Sequence, residues 1–236
     1  RLSENRHGLN AVSVGSPRHS AYQSMDINAI REKERRRIGA SKETTVVGFY
    51  GQALHWVKGY RNTLNAWVDA MIAQKGEYKA LYRPHPREDK GDIRWTVQRF
   101  ADAGMPCVIC QGQDVEHSLL TCDVVCSAFS NCTYDVAYLN YFSEVPLITP
   151  VSLFFDPEII DYFHKMVKLD EFPYLKSGLV LAINDVRDLS SVLALAGSKR
   201  VKEKYWSAAK HLPSPIKAPE IVLNHIHSSL VATNAR

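Results

Sequence analysis

The chain has 236 residues, 45% of them hydrophobic and 23% charged, a balance that fits a folded globular protein and excludes a disordered or fibrous one. Its 29 basic and 25 acidic side chains leave a net charge of +4, short of the concentrated basic stripe of a nucleic-acid binder, so no nucleic-acid partner is expected. No apolar run approaches the roughly 18 residues of a membrane-spanning helix and no signal-peptide core opens the chain, which sets a cytoplasmic expectation.

Residues 1–43 read as a linker and the remnant of a domain boundary. A short apolar run, Ala11 to Val14, leads into Gly15-Ser16-Pro17-Arg18 and then the charged stretch Arg31-Glu32-Lys33-Glu34-Arg35-Arg36-Arg37. Mixed charges at helical spacing predict a linker helix with a solvated face rather than a phosphate-binding patch.

From Thr44 short β-branched or apolar runs alternate with amphipathic segments. Residues 44–198 are therefore expected to form a Rossmann-like α/β domain, a parallel sheet of about six strands with helices on both faces. The first strand is Thr45 to Tyr50. A helix follows, with Leu64, Trp67, Val68, Met71 and Ile72 on one stripe, and Gly76 ends it. The second strand, Tyr78 to Tyr82, runs into Arg83-Pro84-His85-Pro86-Arg87, and the next helix carries Ile93, Val97, Phe100 and Ala101 on one face as far as Gly104. Cys107 to Cys110 is the third strand, Val115 to Leu120 a short helix, Asp123 to Ser127 the fourth strand, and a helix begins near Asn131. Pro146 to Thr149 reads as the fifth strand, before a helix from Pro157 to Met166. Gly178 to Ile183 is the sixth strand, and Asp185 is the expected N-cap of a helix through Ala196. Residues 199–236 read as helices broken at Pro213, Pro215 and Pro219, packing on this domain or on a missing N-terminal one; the last carries an apolar stripe at Ile221, Val222, Ile226 and Leu230.

Five cysteines, an odd number, stand at 107, 110, 122, 126 and 132. Cys107 and Cys110 have metal-ligand spacing, but three residues apart on a strand they point to opposite faces, so reduced thiols and no metal are expected.

In an open parallel sheet, ligands bind beyond the carboxyl ends of the strands, which makes the loops after the strands the places to look. After the first strand, Gly51 and Gln52 open a loop holding His55, Trp56 and Lys58, in which Gly48 and Gly51 would let backbone approach an anion. After the second, two prolines bracket His85 in an extended, rigid setting between Arg83 and Arg87, whose guanidinium groups favour phosphate. After the fourth, Ser127, Ser130 and Asn131 stand where a helix begins, and their side chains and the free backbone amides suit a phosphate at the positive end of the helix dipole. Simple N-capping by Ser130 or Asn131 explains the same residues without a ligand. One turn on, Asp135 is placed to accept hydrogen bonds from a ribose or to complement the dipole. The aromatics of Pro150 to Asp156, after the fifth strand, suit a base, a sugar or the core.

A strand followed by His85-Pro86-Arg87, then some forty residues to a Ser-rich turn and a helix bearing an acidic residue, resembles the C-terminal domain of GT-B-fold transferases. The nearest resemblance is to CDP-glycerol glycerophosphotransferases and capsule polysialyltransferases, and a more distant one is to UDP-N-acetylglucosamine 2-epimerases. In the glycerophosphotransferases the turn reads Asp-Tyr-Ser-Ser with an acidic residue on the helix; here Ala128-Phe129-Ser130-Asn131 and Asp135 occupy those places, with Ala128 and Asn131 as departures. The Pro-Thr-Xaa-Arg segment of those enzymes is replaced by Phe49-Tyr50-Gly51-Gln52.

By that resemblance His85, Ser130 and Asn131 hold donor phosphates, and Asp135 lies near the ribose. Gly15 to Arg18 matches the end of an N-terminal domain. The implied function is the donor-nucleotide-binding domain of a glycosyltransferase-like enzyme of surface polysaccharide biosynthesis. Its partners would be a nucleotide-activated sugar or polyol donor and a missing N-terminal acceptor domain, through which the enzyme would meet the membrane peripherally. His85, aided by Arg83 or Arg87, would act catalytically without a metal or other cofactor, and the isolated chain is expected to be inactive. The alternatives are an epimerase-type enzyme acting on a nucleotide sugar and a non-catalytic GT-B-like interaction domain.

Overall fold

Strands covered on both faces need mostly apolar runs, and the chain supplies them for a six-stranded sheet whose edge strands are only half-buried. In a computed structural model, residues 15–112, 114–169 and 172–234 are described, with side-chain detail through 227. The run Ala11 to Val14 and the side chain of Leu230 lie outside the described residues. The strands are β1 (Thr45–Tyr50), β2 (Tyr78–Arg83), β3 (Cys107–Ile109), β4 (Val124–Ser127), β5 (Thr149–Leu153) and β6 (Leu181–Ile183). They form one parallel sheet in the order β3-β2-β1-β4-β5-β6.

Helices α2 (Lys58–Ile72), α3 (Lys90–Asp102), α6 (Pro157–Val167) and α8 (Leu189–Ala196) cover one face of the sheet. On the other face lie α1 (Ile27–Arg37), α4 (Val115–Thr121), α5 (Cys132–Phe142) and α9 (Lys199–Ala209). A single turn, α7 (Pro173–Lys176), precedes β6. All these elements belong to one compact unit, residues 26–210. Among the described residues, 15–25 and 211–234 make a second, containing a 3-10 helix, Pro17–Ser24, and α10 (Ala218–Asn234).

The alternation of side chains along β1 divides the core. Val47 and Phe49 meet the apolar stripe of α2, where Trp67 stands 5.2 Å from the Phe49 ring and 5.5 Å from Phe100 of α3. On the other face, Gly48 leaves room for its neighbours: a Cβ there would lie 2.7 Å from Cys122 Sγ and 2.9 Å from the Tyr50 ring. That glycine is a packing residue inside the strand and not part of an anion loop. None of the five cysteines forms a disulfide among the described residues, and burial pushes the Cys107 thiol up to about 12.

Two expectations are corrected. The fifth strand runs over Thr149–Leu153, not Pro146 to Thr149, so Pro150 to Leu153 belong to the sheet. Leu147 and Ile148 are buried without a ladder because the Asn140 amide replaces it, donating to Ile148 O at 2.8 Å and accepting from the Leu147 and Ile148 amides at 3.3 Å. Pro150 is tolerated inside β5 because Thr149 donates toward β4, so the missing donor at 150 faces the β6 side, where pairing begins only at Val151.

The charged helix α1 is not simply solvated either. Arg31 and Arg35, one turn apart, turn inward with 15% and 12% of their side chains exposed. Arg31 donates to the carbonyls of Leu120 and Cys122 and Arg35 to those of Ser41 and Thr44, while both pair with Asp123 at 2.7 Å. Carbonyls at the end of α4 need partners, and a guanidinium fork on a flexible stem supplies them. Lys202 of α9 joins the same carboxylate, and Asp123 also accepts the Val46 amide at 2.9 Å. Burial raises the Asp123 carboxyl, but Arg31, Lys202 and Arg35 outweigh it and bring it down to about 2.

Candidate functional site

The strand order reverses between β1 and β4, so the chain leaves these neighbours in opposite directions and opens a crevice beyond their carboxyl ends. The loops after β1, β2 and β4 surround it.

In the loop after β2 the His85 amide donates to Glu88 Oε2 at 3.0 Å, and the Glu88 amide donates back to the His85 carbonyl at 2.8 Å. The Arg87 amide donates to His85 Nδ1 at 3.1 Å. With Nδ1 an acceptor, the neutral ring carries its proton on Nε2, so that nitrogen is a donor. Desolvation, and then Arg87, hold the imidazole below its ordinary value and favour this neutral form.

Glu88 organises the loop from beneath. Its buried carboxylate accepts from the Tyr82 hydroxyl as well as from the His85 amide. His55 Nε2 lies 3.1 Å from Glu88 Oε1 but off the line of a hydrogen bond, and the ring packs edge-on against Tyr60 at 5.2 Å. Gly51 permits this approach: a Cβ on it would stand 2.7 Å from Glu88 Oε2 and 3.0 Å from the His85 nitrogen. The Gly51 amide is already engaged with the Arg83 carbonyl at 2.8 Å.

The loop after β4 is tied together by its own oxygens. Ser127 Oγ accepts from the Ser130 amide at 3.3 Å, and Ser130 Oγ accepts from the Cys132 amide at 3.2 Å, where α5 begins. Asn131 makes no side-chain cap; its Oδ1 accepts from the Tyr174 hydroxyl at 3.1 Å. Tyr174 lies flat on Tyr134, 4.8 Å between centroids, and desolvation, Tyr134 and Asp135 push its hydroxyl up to about 12. Asp135 is buried in the first turn of α5.

Gln52 joins the two halves. Its backbone N–H donates to the Tyr60 hydroxyl at 2.6 Å, and its side-chain Oε1 accepts from the Phe129 backbone N–H at 3.1 Å. Hydrogen bonds thus tie Gln52 to the loop of Ser127 and Ser130, and Gly51 to the Arg83 carbonyl at the end of β2; His85 adjoins Gly51 by close packing, and Asn131 stands beside Ser130. Two arginines stand apart: Arg83 directs its guanidinium to Ser118 Oγ at 3.4 Å on the α4 side, and Arg87 is exposed.

Some contributors were not singled out from sequence. Glu88 and Tyr82 support His85, and Tyr60 supports Gln52. An aromatic wall also stands beside the crevice: Phe129 stacks on Tyr162 at 6.4 Å, and Trp56, 71% exposed, meets the same Tyr162 at 6.5 Å. The start of α2 is occupied from within, because the Gly59 amide donates to Glu158 Oε2 at 2.8 Å. At the start of α5 the Cys132 amide is likewise engaged, by Ser130 Oγ, and it is the Ser-rich loop that carries this helix start to the crevice.

No family model and no curated protein match the sequence. Solved structures do. The wall teichoic acid polymerase TagF aligns over 95% of this chain and 53% of its own, at 14% identity and a TM-score of 0.52. Anabaena HepE, solved with UDP and glucose, aligns over 86% and 55%, at 11% identity and a TM-score of 0.54. MnaA of S. aureus, solved with UDP, aligns over 97% and 57%, at 13% identity and a TM-score of 0.64. The chain spans about half the length of each of these proteins. With six parallel strands, helices on both faces and this set of matches, the chain has the Rossmann-like fold of one half of a GT-B protein.

Proposed function

We propose that the chain binds the donor nucleotide in a GT-B glycosyltransferase-like enzyme of surface polysaccharide assembly, which transfers a sugar or a polyol phosphate from a nucleotide-activated donor. The observation that carries this reading is the grouping at the β1/β4 crevice, where Gln52 ties the loop after β1 to the loop before α5 and Gly51 lets the loop of His85 pack close beside it. UDP bound to HepE and MnaA, which share the fold, supports a nucleotide as the ligand.

On this reading the diphosphate lies against Ser130 and Asn131 at the start of α5, where the helix dipole favours negative charge. The Nε2 proton of His85 donates to a phosphate oxygen and offsets charge developing on the departing nucleotide, with Arg87 adding positive potential. Arg83 contributes through its field from the α4 side. Asp135 serves the ribose, and the wall of Trp56, Phe129 and Tyr162 gives the base a surface to stack on. Protein cations perform the neutralising role, so no metal is required. The acceptor-binding half, and any contact with the membrane, is assigned to a further domain.

Calorimetric titration with CMP, CDP, UDP and GDP tests this. At least one is expected to bind, equally well in EDTA and in magnesium. His85→Ala should weaken it by about 1.5–3 kcal/mol, the range for a hydrogen bond to a charged group. A folded sample that binds none of the four contradicts the reading.

A further inference from the structure

The amino-terminal edge of the sheet, opposite the crevice, carries a second cluster. An open cleft of about 510 Å³ lies between α1, the turn at residues 40–42 and α9, with Asp123 among its lining. Arg31, Arg35, Arg36, Lys42 and Lys202 line it against only two carboxylates, Glu32 and Asp123.

Three of these cations are largely buried and share one partner: Arg31, Arg35 and Lys202, with 15%, 12% and 15% of their side chains exposed, all contact Asp123. The carbonyls ending α4 add only a fraction of a negative charge, about half at most. Positive charge is therefore left over where water screens it poorly. The donors tell the same story. Arg35 is occupied by Thr121, Asp123, Ser41 and Thr44, whereas Lys202 commits one of its three protons to Asp123 among the described contacts. Despite that carboxylate, burial holds both the Arg31 and Lys202 groups below their ordinary values.

We propose that this cleft binds a phosphate-bearing anion, held by Lys202 and Arg31 at its base and by Arg36 and Lys42 at its rim. The excess charge gives the anion its attraction, and the open side of the cleft gives it entry. This site is separate from the nucleotide crevice and does not depend on the reading given for it.

The full chain is melted in chloride, inorganic phosphate and pyrophosphate at matched ionic strength, and the phosphate concentration dependence gives an affinity. Both phosphates are expected to stabilise the protein and to do so still in His85→Ala, where the crevice is weakened, so the cleft variants are read in that background. Lys202→Met should lower the affinity on the order of tenfold, as should the exposed pair Arg36→Ser with Lys42→Ser, which decides the matter if Lys202→Met does not fold. Sedimentation with phosphatidylglycerol and phosphatidylcholine vesicles separates the sources. Capture by the anionic vesicles alone, released by pyrophosphate, assigns a lipid headgroup; phosphate stabilisation without capture assigns a free phosphate. No phosphate-specific stabilisation, or stabilisation undiminished in the variants, overturns the proposal.

Discussion

His85 is positioned by its neighbours before any ligand arrives. Pro84 and Pro86 restrict its backbone, Glu88 takes its amide and the Arg87 amide takes its Nδ1. The ProHisPro pattern made the histidine conspicuous in the sequence. Glu88 was not, because its role arises only when Gly51, far back in the chain, lets the first loop approach. Gln52 stood out with its loop, but its bond to the Phe129 amide, 77 residues away, did not. This bond offers a direct prediction. Gln52→Glu would place a carboxylate on the Phe129 amide and set it against an incoming phosphate, so nucleotide affinity should fall by about 1 kcal/mol or more, while the melting temperature stays near that of the parent. Equal affinity in the calorimeter would remove Gln52 from the site.

At the scale of elements, five of the six strands were legible within a few residues, since the central strands, buried on both faces, read as mostly apolar runs. The misplaced one is informative. Leu147 and Ile148 have the composition of a strand, yet the Asn140 side chain satisfies their backbone, a replacement that no local pattern announces. Asn140→Leu should therefore strand buried backbone groups and lower stability by about 1–3 kcal/mol or more, read from denaturant unfolding. The charge run in α1 misled for a similar reason: half of its arginines serve α4 and Asp123, elements brought close only by the fold. Asp123 has a folded value of about 2, below its ordinary 3.8, so its contribution is complete above the ordinary value and is lost as pH falls through about 2. Acid melts should show that loss, about 2 kcal/mol in all. In Asp123→Asn the corresponding slope should vanish, with stability already reduced by about 3–5 kcal/mol at neutral pH because three buried cations lose their partner.

Over the unit of residues 26–210, the two proposed sites lie at opposite ends of one sheet. The carboxyl end gathers loops with a neutral donor histidine, a Ser-rich helix start and aromatic rings, whereas the amino end carries surplus positive charge. Fold class and the location of the crevice could be read from alternating runs and the loops between them. Which loop residues touch one another could not, since that depends on the close approach at Gly51 and on the reach of Gln52. The central claim is that a nucleotide binds in this crevice, and amide chemical-shift mapping of the folded chain tests it most directly. Titration with the nucleotide that binds in the calorimeter should shift residues 51–52, 85–88 and 127–135 and leave the helices at the amino end unmoved. Shifts confined to another surface, or none at saturating nucleotide, would contradict it.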